Sequence, residues 1–161
     1  MLLRLVLDTN VWLDWLVFND AGIAPIKRAA EEQRAEIFID DACAIELETV
    51  LGYSLRKKIM SVEERVGLLA ECRRIARPVE LAAADSAGSL PRCRDKDDQK
   101  FLELSLACNA DYLITKDLML LELKRRKVKR TPFGIVTPAG FAKEVGLEER
   151  GLRIEDRGLS N

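Results

Sequence analysis

The chain has 161 residues, of which 48% are hydrophobic and 33% are charged, and it contains no histidine. This length suits one domain with a real core, and this composition excludes an intrinsically disordered chain. Because 26 basic and 27 acidic residues leave a net charge of −1, no overall positive field attracts nucleic acid. Chemistry that depends on a histidine base or a histidine metal ligand is excluded for this chain.

The cysteines of the chain show no C-x-x-C spacing, which argues against a zinc ribbon or a thioredoxin-type site. The opening MLLRLVLDTN is too short and too quickly polar for a secretion signal, so we expect reduced thiols and a cytoplasmic protein. No window approaches the ~18–20 apolar residues that a membrane span needs, so no membrane partner is expected.

Apolar runs and turn signals predict strands that alternate with helices. Ser61 with Glu64 forms a capping box, Asp40 or Asp41 can cap a helix, and Thr137 precedes a proline that suits a first helical turn. In chain order the prediction is strand 3–7, helix 12–18, helix 25–34, strand 36–39, helix 42–58, helix 61–77, strand 79–81, loop 82–94, helix 97–107, strand 112–114, helix 119–125, strand 134–136 and a final helix from 137.

This alternation of strands and helices predicts the α/β class, as a three-layer α/β/α sandwich with a mostly parallel central sheet. One domain is expected over residues 1–147, and the charged, glycine-containing residues 148–161 are expected to form a flexible tail. In such sheets, binding sites lie beyond the carboxyl ends of the strands. Residues that directly follow strands are therefore the first candidates for function.

Carboxylates occupy several of these positions. Asp8 closes the first strand, Asp117 follows strand 112–114, and Glu46 lies on a helix between apolar neighbours. Each has an ordinary explanation when taken alone, because Asp is a favoured helix cap and Glu is common on exposed helix faces. Their joint placement at one edge of the sheet is what favours a functional site.

The segment R-D-K-D-D-Q-K at 94–100 carries the strongest local signal. An acidic first turn that interacts with the helix dipole explains one or two of its acids, but three acids in four positions repel one another unless a cation is present. Nearby basic residues, namely Arg92, Arg94, Lys96 and Lys100, could supply part of the neutralisation. Oxygen ligands without Cys or His suit Mg²⁺ or Mn²⁺ rather than zinc.

Four segments together resemble the PIN-domain family, and within it the branch of toxins from toxin–antitoxin pairs. They are V-L-D-T-N-V near the N-terminus, I-E-L-E-T-V-L, the block R-D-K-D-D-Q-K-F-L-E-L-S-L-A-C-N-A-D-Y-L-I-T-K-D, and I-V-T-P-A-G-F. The resemblance covers roughly residues 3–145, and its 95–117 block is the specific part. It implies a ribonuclease that uses Mg²⁺ or Mn²⁺ held by an acidic pocket.

The resemblance also implies roles for individual residues. The catalytic set is Asp8, Glu46, Asp98 and Asp117, where Asp98 is preferred over its neighbours Asp97 and Asp95. The metal ligands are Asp8, Asp98, Asp117 and Asp97, and the supporting residues are Asn10, Thr115 and Asp95. Two positions depart from the family pattern: Met119 stands where related chains often have Asp, and Gln99 stands where Asn or Asp is frequent.

A basic run, KRRKVKR at 124–130, could hold the RNA backbone, with contacts from Lys124, Arg125, Arg126 and Lys127. A solvated helix end is the alternative, since cations favour the C-terminal end of the helix dipole. The family branch implies an antitoxin partner. Trp12, Trp15 and Leu16 could form a homodimer face, although a core role is favoured. The rival function is a catalytically weak or inactive PIN-like module that binds RNA or protein, and Met119 supports it.

Overall fold

The computed structural model describes residues 2–80, 90–93, 95–125 and 131–146, and within them five strands form one sheet. The strands are β1 (Leu3–Leu7), β2 (Ala35–Ile39), β3 (Ala76–Pro78), β4 (Tyr112–Ile114) and β5 (Gly134–Val136). Their order is β3-β2-β1-β4-β5, and every neighbouring pair is parallel. The predicted mostly parallel sheet is therefore parallel throughout the described strands.

Helices cover both faces of this sheet. Leu5, Val6 and Leu7 are all buried, although successive residues of a strand point to opposite faces. Burial on both faces is what a parallel sheet requires, because its crossover helices pack on either side. The predicted three-layer α/β/α sandwich is confirmed, and its core lies on both sides of β1.

The helices connect these strands and begin at capping residues. They are α1 (Thr9–Leu16), α2 (Ala24–Glu31), α3 (Asp41–Leu51), α4 (Val62–Ile75), α5 (Gln99–Ala107), α6 (Leu118–Glu122) and α7 (described over 138–146), with 3₁₀ turns at Ala21–Ile23, Lys96–Asp98 and Leu123–Arg125. Ser61 and Glu64 form the predicted capping box, and the Thr137 hydroxyl accepts a hydrogen bond from the Gly140 amide. None of the helices in the described ranges is long and apolar enough to cross a membrane.

Several predicted boundaries are wrong: α1 begins at Thr9 rather than at 12, α2 ends at Glu31 rather than at 34, and α3 and β3 differ as well. Helix α3 ends at Leu51 rather than at 58, because Arg56 and Lys57 adopt positive φ angles of 48° and 66° that a helix does not allow. The inner face of α3 is formed by residues such as Leu47, and the apolar side chain of Ile45 on the same helix is 62% exposed. Strand β3 lies three residues earlier than predicted, since it follows α4 without a loop.

The order of the strands creates a crevice at the carboxyl edge of the sheet. The chain moves outward from β1 to β2 and β3, then returns to place β4 and β5 on the other side of β1. The connections that follow β1 and β4 therefore run in opposite directions and leave a crevice between them. Sheets of the α/β class usually bind ligands in such a crevice. Asp8 follows β1 at this position, and Thr115 to Asp117 follow β4.

Candidate metal centre

Asp8 is a buried carboxylate that is held in one orientation. It is only 4% exposed, its Oδ1 accepts a hydrogen bond of 3.0 Å from the Val11 amide, and its Oδ2 accepts one from the Thr115 hydroxyl. Burial raises the pKa of Asp8, while these two hydrogen bonds act in the opposite direction. Asp8 therefore caps α1 and also places a carboxylate at the switch point of the sheet, so the two explanations of this residue are compatible.

Thr115 joins Asp8 to Asp117. The Thr115 side chain is fully buried, and its hydroxyl donates to Asp8 while accepting a hydrogen bond of 2.9 Å from the Asp117 amide. Asp117 is half-buried and caps α6, since its Oδ1 accepts a hydrogen bond of 2.8 Å from the Met119 amide. A single hydroxyl thus links the Asp8 carboxylate at the end of β1 to the main chain of Asp117 after β4.

Asp98 brings a third carboxylate to the same place. It ends the 3₁₀ turn that leads into α5, and its Oδ2 is buried without a hydrogen-bond partner among the described residues. Burial raises the pKa of Asp98 to about 8, aided first by a hydrogen bond and charge repulsion with Asp117 and then by the charges of Asp95 and Asp8. These interactions place the carboxylates of Asp8, Asp98 and Asp117 near one another.

The neighbouring acids of the 95–98 segment lie on the surface. Asp95 and Asp97 are both exposed, and Asp95 Oδ1 accepts a hydrogen bond of 2.9 Å from the Asp97 amide. Asn10, the second residue of α1, is exposed too, and it is Asp8 that caps this helix. The predicted residues Asp95, Asp97 and Asn10 are therefore exposed, whereas Asp98 is half-buried and has one buried carboxylate oxygen.

Glu46 lies on α3, where its side chain contacts Thr9, the neighbour of Asp8, and forms an ion pair with a lysine. Its Oε1 lies 2.6 Å from Lys100 Nζ, and its Oε2 accepts a hydrogen bond from the Thr9 hydroxyl. Burial lowers the pKa of Lys100, but the hydrogen bond and the charge of Glu46 outweigh it, so the pKa is raised overall. We use "acidic pocket" below for Asp8, Glu46, Asp98 and Asp117 together.

Residues that sequence reasoning did not assign connect the segments around these carboxylates. The buried amide of Gln99 accepts a hydrogen bond of 2.8 Å from the Cys93 amide and donates one of 3.1 Å to the Pro91 carbonyl. Lys116 pairs with the buried carboxylate of Asp14, which ties the end of β4 to α1. The partners of each pair lie on different elements, so no local spacing in the sequence indicates them.

The chemistry of the pocket fits a hard divalent cation. Among the described residues, no three Asp, Glu or Cys side chains already surround a common point where a metal could sit. The donors are nevertheless carboxylate oxygens, which Mg²⁺ and Mn²⁺ prefer, and the unpartnered Oδ2 of Asp98 together with the repulsion from Asp117 is what a cation would relieve. Asp8, Asp98 and Asp117 are the side chains that would hold it.

A match between the sequence and a family model identifies the family of this chain. Residues 4–119 match the sequence model of the PIN domain. The chain belongs to the PIN-domain family. This match spans both strand ends of the acidic pocket and all four of its carboxylates, so the resemblance inferred from the sequence is confirmed at the level of the family. No curated protein matches this PIN domain significantly.

A solved structure supports the same fold. The PIN domain is similar to a chain in the crystal structure of VapBC2 from Rickettsia felis bound to a DNA fragment from their promoter. The two chains are 18% identical, the alignment covers 84% of this chain and 98% of that chain, and the TM-score is 0.61. At this level of identity the likeness concerns the fold.

The predicted RNA-binding run and the predicted tail lie largely outside the described residues. Lys124 is exposed in the middle of the 3₁₀ turn that follows α6, Arg125 is described only in its backbone, and Arg126 and Lys127 are not described. The core role that was favoured for the early helix holds for Trp12, which is buried, while Trp15 and Leu16 are half-buried and pack against the core.

Proposed function

We propose that this PIN domain is an endoribonuclease that depends on Mg²⁺ or Mn²⁺ and hydrolyses phosphodiester bonds at the acidic pocket. The observation that carries this proposal is the meeting of Asp8, Asp98 and Asp117 at the switch point of the sheet, where Asp98 keeps a buried, unpartnered oxygen. Membership of a family whose members are generally nucleases supports it.

The residues of the pocket have separate tasks in this proposal. Asp8 and Asp117 provide carboxylates from residues that the Thr115 hydroxyl links, and Asp98 completes the set from the start of α5. A bound divalent cation would supply what the side chains lack, a lower pKa for an attacking water and compensation for the charge that develops on the phosphate. No protein nucleophile is needed, which agrees with a chain that has no histidine.

Lys124 to Lys127 are proposed to hold the RNA backbone beside the pocket. The exposed side chain of Lys124 lies in the 3₁₀ turn after α6, and Asp117 caps that same helix at its other end. Contacts from lysine and arginine to phosphates position a strand without reading its sequence. The cleavage site would then be selected by other parts of the surface.

A cleavage assay tests the enzymatic part of the proposal. Purified protein is incubated with labelled single-stranded RNA in Mg²⁺, in Mn²⁺ and in EDTA, beside Asp8→Asn and the control Asp41→Asn. Asp41 is exposed at the start of α3, so its substitution makes the same charge change outside the pocket. We expect cleavage by the wild type and Asp41→Asn in either metal, and none by Asp8→Asn or in EDTA.

Intact RNA in every lane, from folded protein, would favour the rival function, a PIN-like module that binds RNA or protein without cleaving it. Met119 is the observation behind this rival, because its exposed thioether stands beside Asp117 where related chains often carry another carboxylate. An RNA-binding titration of the wild type at 50 mM and 200 mM salt would then distinguish an RNA-binding module from a protein-binding one.

We also propose that the protein is the toxin of a toxin–antitoxin pair. The similarity in fold to a chain of the VapBC2 complex supports this role, as does the resemblance of the sequence to the toxin branch. Expression of the wild type should stop growth of a bacterial host, and Asp8→Asn should not. Growth should return when the gene that adjoins this one is expressed as well, provided that it encodes the antitoxin.

A further inference from the structure

A chain of contacts runs from the start of α5 through Glu46 to the start of α1. The Lys100 ammonium lies 2.6 Å from Glu46 Oε1 and 2.5 Å from the main-chain carbonyl oxygen of Asp97. Glu46 Oε2 accepts a hydrogen bond from the hydroxyl of Thr9, which is a buried residue. Lys100 belongs to α5, Thr9 to α1 and Glu46 to α3, so one carboxylate joins three helices.

The two ends of this chain of contacts are close in sequence to proposed metal ligands. Thr9 directly follows Asp8, and Lys100 comes two residues after Asp98, in the first turn of α5. A shift of the Glu46 side chain would therefore be transmitted to the main chain beside both aspartates. The chain of contacts connects two segments that must keep their relative position if both aspartates are to serve one site.

Both oxygens of Glu46 are already engaged within the protein. The side chains of Glu46 and Lys100 are only 24% and 21% exposed, so their ion pair is partly shielded from water. A metal ion that took Glu46 as a ligand would first have to displace the Lys100 ammonium. Asp98 differs, because its Oδ2 is buried and has no hydrogen-bond partner in the part of the chain that the structure describes. These contacts suit a carboxylate that orients its neighbours.

We propose that Glu46 is a positioning residue, which through Lys100 and Thr9 holds the segments that carry the proposed metal ligands. This inference rests on the proposed function, and it gives Glu46 a role other than the catalytic one that the resemblance implies. Position matters for such a site, because a displacement of about 1 Å can lower a reaction rate about a hundredfold. Lys100 acts on the reaction through Glu46 and has no separate task.

The cleavage of labelled single-stranded RNA in Mn²⁺, measured as kcat and KM, tests this inference on the full chain. Glu46→Ala and Lys100→Met should each lower kcat about a hundredfold and leave KM nearly unchanged. Glu46→Gln keeps an oxygen that can accept from Lys100 and gains an amide that can donate to Thr9. Lys100→Arg keeps a cation. Both of these conservative variants should therefore have a kcat within about tenfold of the wild type.

A double-mutant cycle tests whether Lys100 acts through Glu46. Because both changes break the same chain of contacts, Lys100→Met combined with Glu46→Ala should lower kcat about a hundredfold and not about ten-thousandfold. The matched controls are Glu48→Ala and Lys143→Met, which remove exposed charges from α3 and α7 and should leave kcat at the wild-type value.

Circular dichroism establishes that each variant is folded. If Glu46→Ala or Lys100→Met does not fold, the comparison of Glu46→Gln with Asp98→Asn decides the question, because each replaces a carboxylate by an amide of the same shape. Asp98→Asn removes a proposed metal ligand and should not cleave RNA, whereas Glu46→Gln should.

Three results would overturn the inference and leave the proposed nuclease intact. They are a Glu46→Gln variant as inactive as Asp98→Asn, losses that multiply in the double variant, and a folded Lys100→Met variant with an unchanged kcat. In the last case, a raised KM would make Lys100 a contact to RNA. A wild-type chain that cleaves no RNA would remove the proposed function itself, and the inference with it.

Discussion

Replacing Asp98 by Asn should stabilise the metal-free protein at alkaline pH. The pKa of Asp98 is about 8 in the folded state, against an ordinary value of 3.8, so between these values the folded chain keeps a proton that the unfolded chain has lost. The free energy of unfolding of the wild type therefore falls as pH rises through this range. Asn cannot ionise, so the stability of the variant does not fall for this reason as pH rises.

The size of this pH-dependent loss of stability follows from the shift in the pKa of Asp98. A shift of this size corresponds to about 5 to 6 kcal/mol if the group is fully shielded from water. Asp98 is only half-buried, and solvent screening reduces the interaction. The free energy of unfolding of Asp98→Asn should therefore rise relative to that of the wild type by about 2 kcal/mol between pH 4.5 and pH 8.5.

Urea denaturation in EDTA at four pH values across this range measures the difference. Asp97→Asn is the control, because it makes the same substitution at an exposed position one residue away. Its stability should follow that of the wild type at every pH, since both keep Asp98. If Asp98→Asn differs from the wild type by a constant amount across the range, Asp98 does not hold its proton in the folded protein, and the account of the pocket is wrong.

Three further substitutions test the residues that hold the acidic pocket in place and the contact between Lys124 and RNA. Thr115→Val removes the hydroxyl that links Asp8 to the backbone after β4, so it should cost about 1–3 kcal/mol in urea denaturation and lower the cleavage rate at least tenfold. Gln99→Ala leaves the buried Cys93 amide without its partner and should cost about 1–3 kcal/mol, which thermal denaturation would detect. Lys124→Ala should reduce the slope of log affinity for single-stranded RNA against log salt by about 0.7, and an unchanged slope would exclude a phosphate contact there.

The sequence predicts the strand ends of the pocket well because the signals are local. An apolar run that stops at an Asp indicates both a buried strand and the residue beyond it, as at Asp8, and the same pattern marks strand 112–114. Parallel pairing brings the carboxyl ends of these strands to one edge of the sheet, so their proximity can be predicted without knowing any distance. The fold class and the meeting of Asp8 with Asp117 could therefore be predicted from the residues alone.

Contacts between helices could not be predicted in this way. Glu46 and Lys100 belong to α3 and α5, and nothing in either helix indicates the other as a partner. The end of α3 also escaped prediction, because residues 52–58 contain good helix formers and the positive φ angles of Arg56 and Lys57 follow from how the chain turns back. Tertiary packing determined both features.

The strand order also determines when the pocket can exist during synthesis. The central strand β1 is made first, yet its partner β4 is made last but one, and the hydrogen bond between Thr115 and Asp8 joins residues 107 positions apart. A ribosome adds about 5–20 residues per second, so several seconds separate the two halves of the pocket. Until Asp117 has left the exit tunnel, the nascent chain carries acidic residues but no pocket, and a product of interrupted translation that ends before this residue is released without one.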